Sequence, residues 1–214
     1  WNSLWVRSRD LAWTLERDIL GSLERVRRVL PEDLQDNPRA RYQAWKMALV
    51  LENIGRMEVR GRDSLGISGL VAFEDAEAYQ QFLVRIEKAG LSAEWAERQQ
   101  RRDLVDRAVR VDEVSARPCL LFAYKVAQEV GALGDNVNAL RDELRADRLL
   151  WAAFTAPEAT TNLWSHTRWA SNGIISEANC HPVDEETLED PGAQPNGPWI
   201  TAALNGDVDN YQDL

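Results

Sequence analysis

Cysteine and histidine are scarce, with two of each in 214 residues. Cys119 and Cys180 stand far apart and form no disulfide framework, which predicts a reducing, cytoplasmic setting. No CxxC occurs, and His166, Cys180 and His181 with nearby Glu177 match no standard zinc spacing, so neither a metal nor a cofactor is expected. Long apolar runs are missing too. None approaches the ~20 residues that a membrane-spanning helix needs, and no secretory leader is visible after the opening Trp1. Basic residues are outnumbered, 25 Lys and Arg against 35 Asp and Glu, for a net charge of −10. That balance argues against nucleic acid or an anionic membrane as partner, because phosphate contacts need clustered Lys and Arg. Internal repeats and low-complexity tracts are also lacking. What remains is 44% hydrophobic and 28% charged, the composition of a soluble globular chain long enough to bury a real core.

The first half has helical periodicity. Leu4, Leu11, Leu15, Ile19, Leu23, Val26 and Leu30 recur at spacings of three, four and seven and predict an amphipathic helix ending near Pro31. A second helix starts at Pro38 and carries Tyr42, Trp45, Leu49 and Ile54. "RGRDSLGISGLVAF" reads as a turn feeding a buried strand. Two more helices follow, Asp75–Ala89 stopped by Gly90, and Ala93–Ala108 after a Ser92 cap. Their apolar faces are expected to pack locally rather than to dock a partner. "CLLFAYKVA" (Cys119–Ala127) reads as a strand, and Gly134-Asp135 precedes a helix through Asn138–Phe154. From Thr155 the chain turns β-compatible. Asp184–Pro198 reads as a surface loop, and Trp199–Leu204 as a short buried strand entering an Asn205-Gly206 turn. Without βαβ regularity, a doubly wound parallel sheet is not favoured, and the class is α+β.

Three features invite a functional reading. Cys180-His181 has the residue types of a nucleophile and base, but neighbours on an extended segment point to opposite faces, and Pro182 keeps His181 extended or in a turn. The pair reads as scaffold, in keeping with the usual burial of a free Cys. Arg168, between Thr167 and Trp169, offers a planar guanidinium able to clamp a carboxylate; taken alone, an ordinary ion-paired Arg is the plainer reading. Asn205-Gly206 taken alone is a hairpin turn signal. At the end of a strand, however, an Asn side-chain NH₂ and a Gly amide can converge on one point, as an oxyanion hole requires.

Together these stretches resemble one family. "SHTRWASNGIISEANCHP" is similar to the "GHTRWATHG…SE-N-HP" block of class II glutamine amidotransferases, most of all the glutamine–fructose-6-phosphate aminotransferase (glucosamine-6-phosphate synthase) type. "RGRDSLGI" (Arg60–Ile67) resembles that family's "RGYDSAGI", and "LNGDVDNYQDL" (Leu204–Leu214) its "HNGIIENYEEL". The three blocks occur in the family's order and cover roughly a quarter of the chain, with "YKVAQEVGALGDNVNALRDEL" as a weaker fourth.

The resemblance implies an N-terminal-nucleophile α/β/β/α sandwich of antiparallel sheets, incomplete here and carrying extra helical insertions. It implies that residues 1–214 are a partial amidotransferase domain with a helical insertion at about 75–108. It further implies glutamine as substrate. An N-terminal Cys thiolate attacks the side-chain amide, ammonia leaves, and the glutamyl thioester is hydrolysed. The ammonia passes to a synthase domain of the same parent chain, a sugar-phosphate isomerase domain in the nearest relatives.

By the resemblance, Arg168 holds the glutamine α-carboxylate, Trp169 matches the family's Trp, and Ser171 and Asn172 stand where the family has Thr and His in the same pocket. Asn205 and Gly206 become the oxyanion hole, while Arg60 and Gly61 match the loop packed near the nucleophile. Trp1 stands where the family has its nucleophile, and neither Cys119 nor Cys180 carries a free α-amino group. The chain therefore reads as an internal fragment, inactive alone, of a larger enzyme. The alternative is a non-catalytic glutamine-sensing or structural domain on the same fold. A homodimer is left open beside the monomer.

Overall fold

The computed structural model describes residues 1–101, 104–127, 132–169, 174–184 and 198–206. Its centre is a four-stranded antiparallel sheet in the order β2-β3-β1-β4, formed by β1 (Ser64–Phe73), β2 (Val109–Asp112), β3 (Cys119–Val126) and β4 (Ala159–Arg168). Two-residue alternation assigns the faces. Leu65, Ile67, Val71 and Phe73 of β1, with Leu120, Phe122 and Tyr124 of β3, point into the main core. Helices cover that face: α3 (Pro38–Met57), α4 (Ala76–Lys88), α6 (Asp135–Ala146) and α7 (Arg148–Phe154). α2 (Gly21–Val29) packs outside them on α3 and α6. The opposite face carries a smaller cluster of Leu104, Ala108, Leu121 and Ala123 with Trp199 against it, together with a two-stranded ribbon of β5 (Val183–Asp184) and β6 (Thr201–Ala202). The class is α+β with antiparallel sheets. No described helix is long and apolar enough to cross a membrane.

Caps explain most of the boundaries. Asn37 accepts from the backbone N–H groups of Arg39 and Ala40 ahead of Pro38 and starts α3. Asp75 accepts from Ala78 N–H and starts α4, which Gly90 ends in a left-handed conformation (φ +71°). α4 buries Ala78, Tyr79, Phe82 and Ile86, so its apolar face is used locally, as expected.

Several expectations are corrected. The helix predicted over Ala93–Ala108 is only α5 (Ser92–Gln99), and Ser92 does not cap it through its side chain. Val109–Asp112, just beyond the predicted helix, is strand β2, buried on both faces. The single helix expected through Phe154 breaks at Asp147, whose carboxylate accepts from Leu150 N–H at 3.0 Å and starts α7. α3 turns Tyr42, Trp45 and Leu49 to the outside. It buries Ala40, Ala44, Met47, Ala48 and Leu51 instead, because small side chains let the helix approach the sheet closely. Lys46 Nζ and Gln43 fasten it there through Thr161 of β4. Trp199–Leu204 is not a buried strand: strand β6 spans Thr201–Ala202, and Ile200 and Leu204 are exposed. The loop expected at 184–198 lies largely outside the described residues.

Candidate functional site

The side of the sheet away from the helices becomes polar at one end. β1 presents Ser64, Gly66 and Ser68 there, β3 presents Lys125, and β4 presents His166 and Arg168. Lys125, Gly66 and His166 lie in one row across the three strands, and Ser64 pairs with Arg168 in the next row of that face. The 174–184 segment lies over this patch. A Cβ added at Gly66 would sit 1.9 Å from the His181 carbonyl oxygen and 3.3 Å from Cys180 Sγ. Only glycine lets the segment come down that far. The His181-Pro182 peptide is cis. The rings of His166 and His181 meet with centroids 4.8 Å apart, and Arg110 of β2 donates to Asp184 at 2.8 Å, tying the segment to the sheet.

The electrostatics follow from this cover. Lys125 is 1% exposed, and its ammonium has no hydrogen-bond partner among the described residues. Burial pulls its pKa down to about 8, against the opposing pull of Cys180, Asp184 and Glu177. Burial, then the charges near His166, Arg168 and Lys125, hold His181 down to about 4. His166 is lowered by burial. The Cys180 thiol is pushed up by burial, partly offset by Lys125 and Arg168. At neutral pH the patch thus holds neutral imidazoles, a neutral thiol and the Lys125 ammonium, beside the Arg168 guanidinium and the Arg110–Asp184 ion pair. Such an arrangement suits a carboxylate or another anion.

A carboxyl pair adjoins it. Asp106 accepts from the Lys125 backbone N–H at 2.8 Å. Glu143 is raised to about 7, first by burial and then by Asp106, and burial raises Asp106 as well. A carboxyl poised near neutrality can donate or accept a proton.

The sequence-predicted residues divide into three groups. Arg168, the last residue of β4, is half-buried; its guanidinium donates to the Ile174 carbonyl at 3.4 Å, and its own carbonyl accepts from Asp63 N–H at 3.2 Å. Gly61 is packed on it, since a Cβ there would lie 3.0 Å from the Arg168 backbone. Those two the structure brings together. Arg60 ends a short 3₁₀ turn (Glu58–Arg60) and is exposed, and Trp169 is 68% exposed. Asn205 and Gly206 occupy an exposed turn after β6, and no hydrogen bond or ion pair among the described residues joins them to Arg168. Ser171 and Asn172 lie outside the described residues.

Cys180-His181 is scaffold in this structure. The sulfur approaches the His181 carbonyl at 3.7 Å rather than its ring, and the pair forms the cover over Gly66. Among the described residues, no group of three or more His, Cys, Asp or Glu is arranged to hold a metal. Sequence reasoning missed Lys125, Asp106 and Glu143. The signal for Lys125 was a lone cation inside the apolar run "CLLFAYKV", at a position a doubly covered strand must bury.

Compared with family models, with curated proteins and with solved structures, the chain matches none.

Proposed function

We propose that this chain is the glutamine-holding part of a class II glutamine amidotransferase, most like the fructose-6-phosphate aminotransferase type, on an incomplete N-terminal-nucleophile sandwich. The supporting observation is the pairing of β1 with β4. Two blocks of the resemblance, about a hundred residues apart in sequence, run side by side from Ser64↔Arg168 to Ile67↔Ser165, with Gly61 against the Arg168 backbone. Arg168 clamps the glutamine α-carboxylate, and Lys125 adds a buried positive charge on the same face of the sheet. Asn205 and Gly206 supply the oxyanion donors once their turn closes on the substrate. The nucleophile is an N-terminal Cys thiolate outside these residues. Neither thiol here can replace it, because burial pushes both Cys119 and Cys180 up and leaves them protonated. Attack on the glutamine amide releases ammonia, a sugar-phosphate isomerase domain of the parent chain consumes it, and water clears the glutamyl thioester.

The second reading is a glutamine-sensing domain without chemistry on the same fold. Titration calorimetry with L-glutamine tests what the two share. The chain is expected to bind glutamine, and Arg168→Ala to lose most of that heat while Arg168→Lys keeps part of it. An intact chain that takes up no glutamine would falsify both. Ammonia release by a parent chain that carries an N-terminal Cys separates them.

A further inference from the structure

We infer that the N-terminal helix is an interface between two antiparallel copies of this chain. α1 (Asn2–Trp13), a π-helical stretch (Thr14–Leu20) and α2 form one continuous rod. Only its end is packed. Arg25 pairs with Glu52 of α3 at 3.0 Å, and Val29 and Leu30 enter the core. The preceding 20 residues, about 30 Å of helix, contain no buried residue. Yet that rod carries an apolar stripe. Leu4, Trp5, Leu11, Leu15, Ile19 and Leu23 are all exposed, and the stripe continues into Val26 and Leu30, which do pack on the core. The π register suits this sequence: a turn wider than 3.6 residues keeps the four-residue steps Leu11, Leu15, Ile19 and Leu23 in line instead of letting them drift round the helix. A lone helix in water gains too little from its own hydrogen bonds, and a strip of this size marks an interaction surface.

The flanking charges select the occupant. Arg7 and Asp18 border one side of the stripe, and Arg9 and Glu16 border the other. Both pairs have the same midpoint, between Ala12 and Trp13. A second copy laid antiparallel about that midpoint sets Arg7 against the other copy's Asp18, and Arg9 against its Glu16, twice each. Leu11 then lies within one residue of Leu15 of the other copy along the seam. Laid parallel and in register, the same helices oppose Arg7 with Arg9 and Asp18 with Glu16, like against like. Opposite charges across a helical seam set orientation in this way. This surface is separate from the Arg168 patch and does not depend on the glutamine reading.

Sedimentation equilibrium of the 214-residue chain reads the outcome. A dimer is expected. Leu11→Asp with Leu15→Asp makes it monomeric while the thermal unfolding of the globular part is unchanged, since neither side chain is buried there. Asp18→Arg alone weakens the dimer about tenfold, and adding Arg7→Asp restores it, because the swapped charges again meet across the antiparallel seam. A chain that stays monomeric overturns the inference. So does a dimer indifferent to Leu11 and Leu15, a double charge swap that fails to restore, or a different protein bound to the strip in place of a second copy.

Discussion

Arg98 and Asp147 face each other at 2.5 Å on the helical side of the sheet, each side chain 1% exposed. The Asp147 carboxylate also accepts from the Tyr124 hydroxyl at 2.5 Å and from Leu150 N–H, while Arg98 donates to the Arg107 carbonyl and lies over the Phe122 and Tyr124 rings. Burial and Asp147 push the Tyr124 phenol well above its usual value, so it remains a donor. Asp147→Ala leaves the buried Arg98 guanidinium with only Glu94, at 3.7 Å, as its counter-charge and uncaps α7. It is expected to cost about 3–5 kcal/mol in urea unfolding, and Arg98→Met with Asp147→Leu markedly less, since no charge is then stranded. Equal losses would show that the ion pair is not what matters.

Gly66→Ala puts a methyl group where the His181 carbonyl already lies. The covering segment must lift, at about 1–3 kcal/mol, and the otherwise inaccessible Cys180 thiol becomes reactive to a thiol reagent. A substituted protein that is equally stable and equally unreactive at Cys180 would show that the segment does not rest on this strand.

Lys125 sets a pH window. Its pKa is depressed to about 8 in the fold and is ordinary when unfolded, so between about 8 and 10.5 the unfolded chain binds more protons and stability rises with pH. Lys125→Met, which removes an unpaired buried ammonium, is expected to be more stable than the parent at pH 7. Its advantage narrows as pH climbs through that window. Its glutamine affinity should fall if the patch holds the carboxylate. Denaturant melts at pH 7 and pH 10, with a glutamine titration, read both effects.

Glu143 acts in the opposite sense. Raised to about 7 in the fold, it binds a proton that the unfolded chain has lost, so its contribution falls as pH rises from about 4.5 to 7. His181, held down to about 4, contributes stability that is lost as pH drops from about 6.5 to 4. The two overlap and partly cancel. Glu143→Gln should therefore gain on the parent at pH 7.5 and not at pH 4.5, and thermal melts at both values check it.

The oxyanion role of Asn205 has its own test. In a parent chain carrying the N-terminal Cys, Asn205→Ala is expected to lower glutaminase kcat by about 10²–10³. Unchanged turnover would remove Asn205 from the mechanism.

β1, β3, α4 and the long first helix were legible because each carries a strong period or a stop signal, Gly90 above all. β2 was hidden because "VRVD" alternates apolar and charged residues and so reads as half exposed. Arg110 finds Asp184 and Asp112 holds the Val114–Ser115 turn, so both charges are buried with partners the sequence cannot display. The buried face of α3 is hard to read because hydrophobicity favours Trp45 and Tyr42, whereas close packing selects alanines. At the candidate site, the motif singles out Arg168. The patch around it depends on strand register and on one glycine contact, which residue types in linear order do not reveal.

That glycine fixes a height. With one carbonyl resting where a side chain would begin, the covering segment has a set clearance above the strands. Arg168 reaches the same segment at Ile174, farther along. Gly66 therefore works as a spacer of zero thickness: it sets the height at which the covering segment, met by Arg168 at Ile174, crosses the strands.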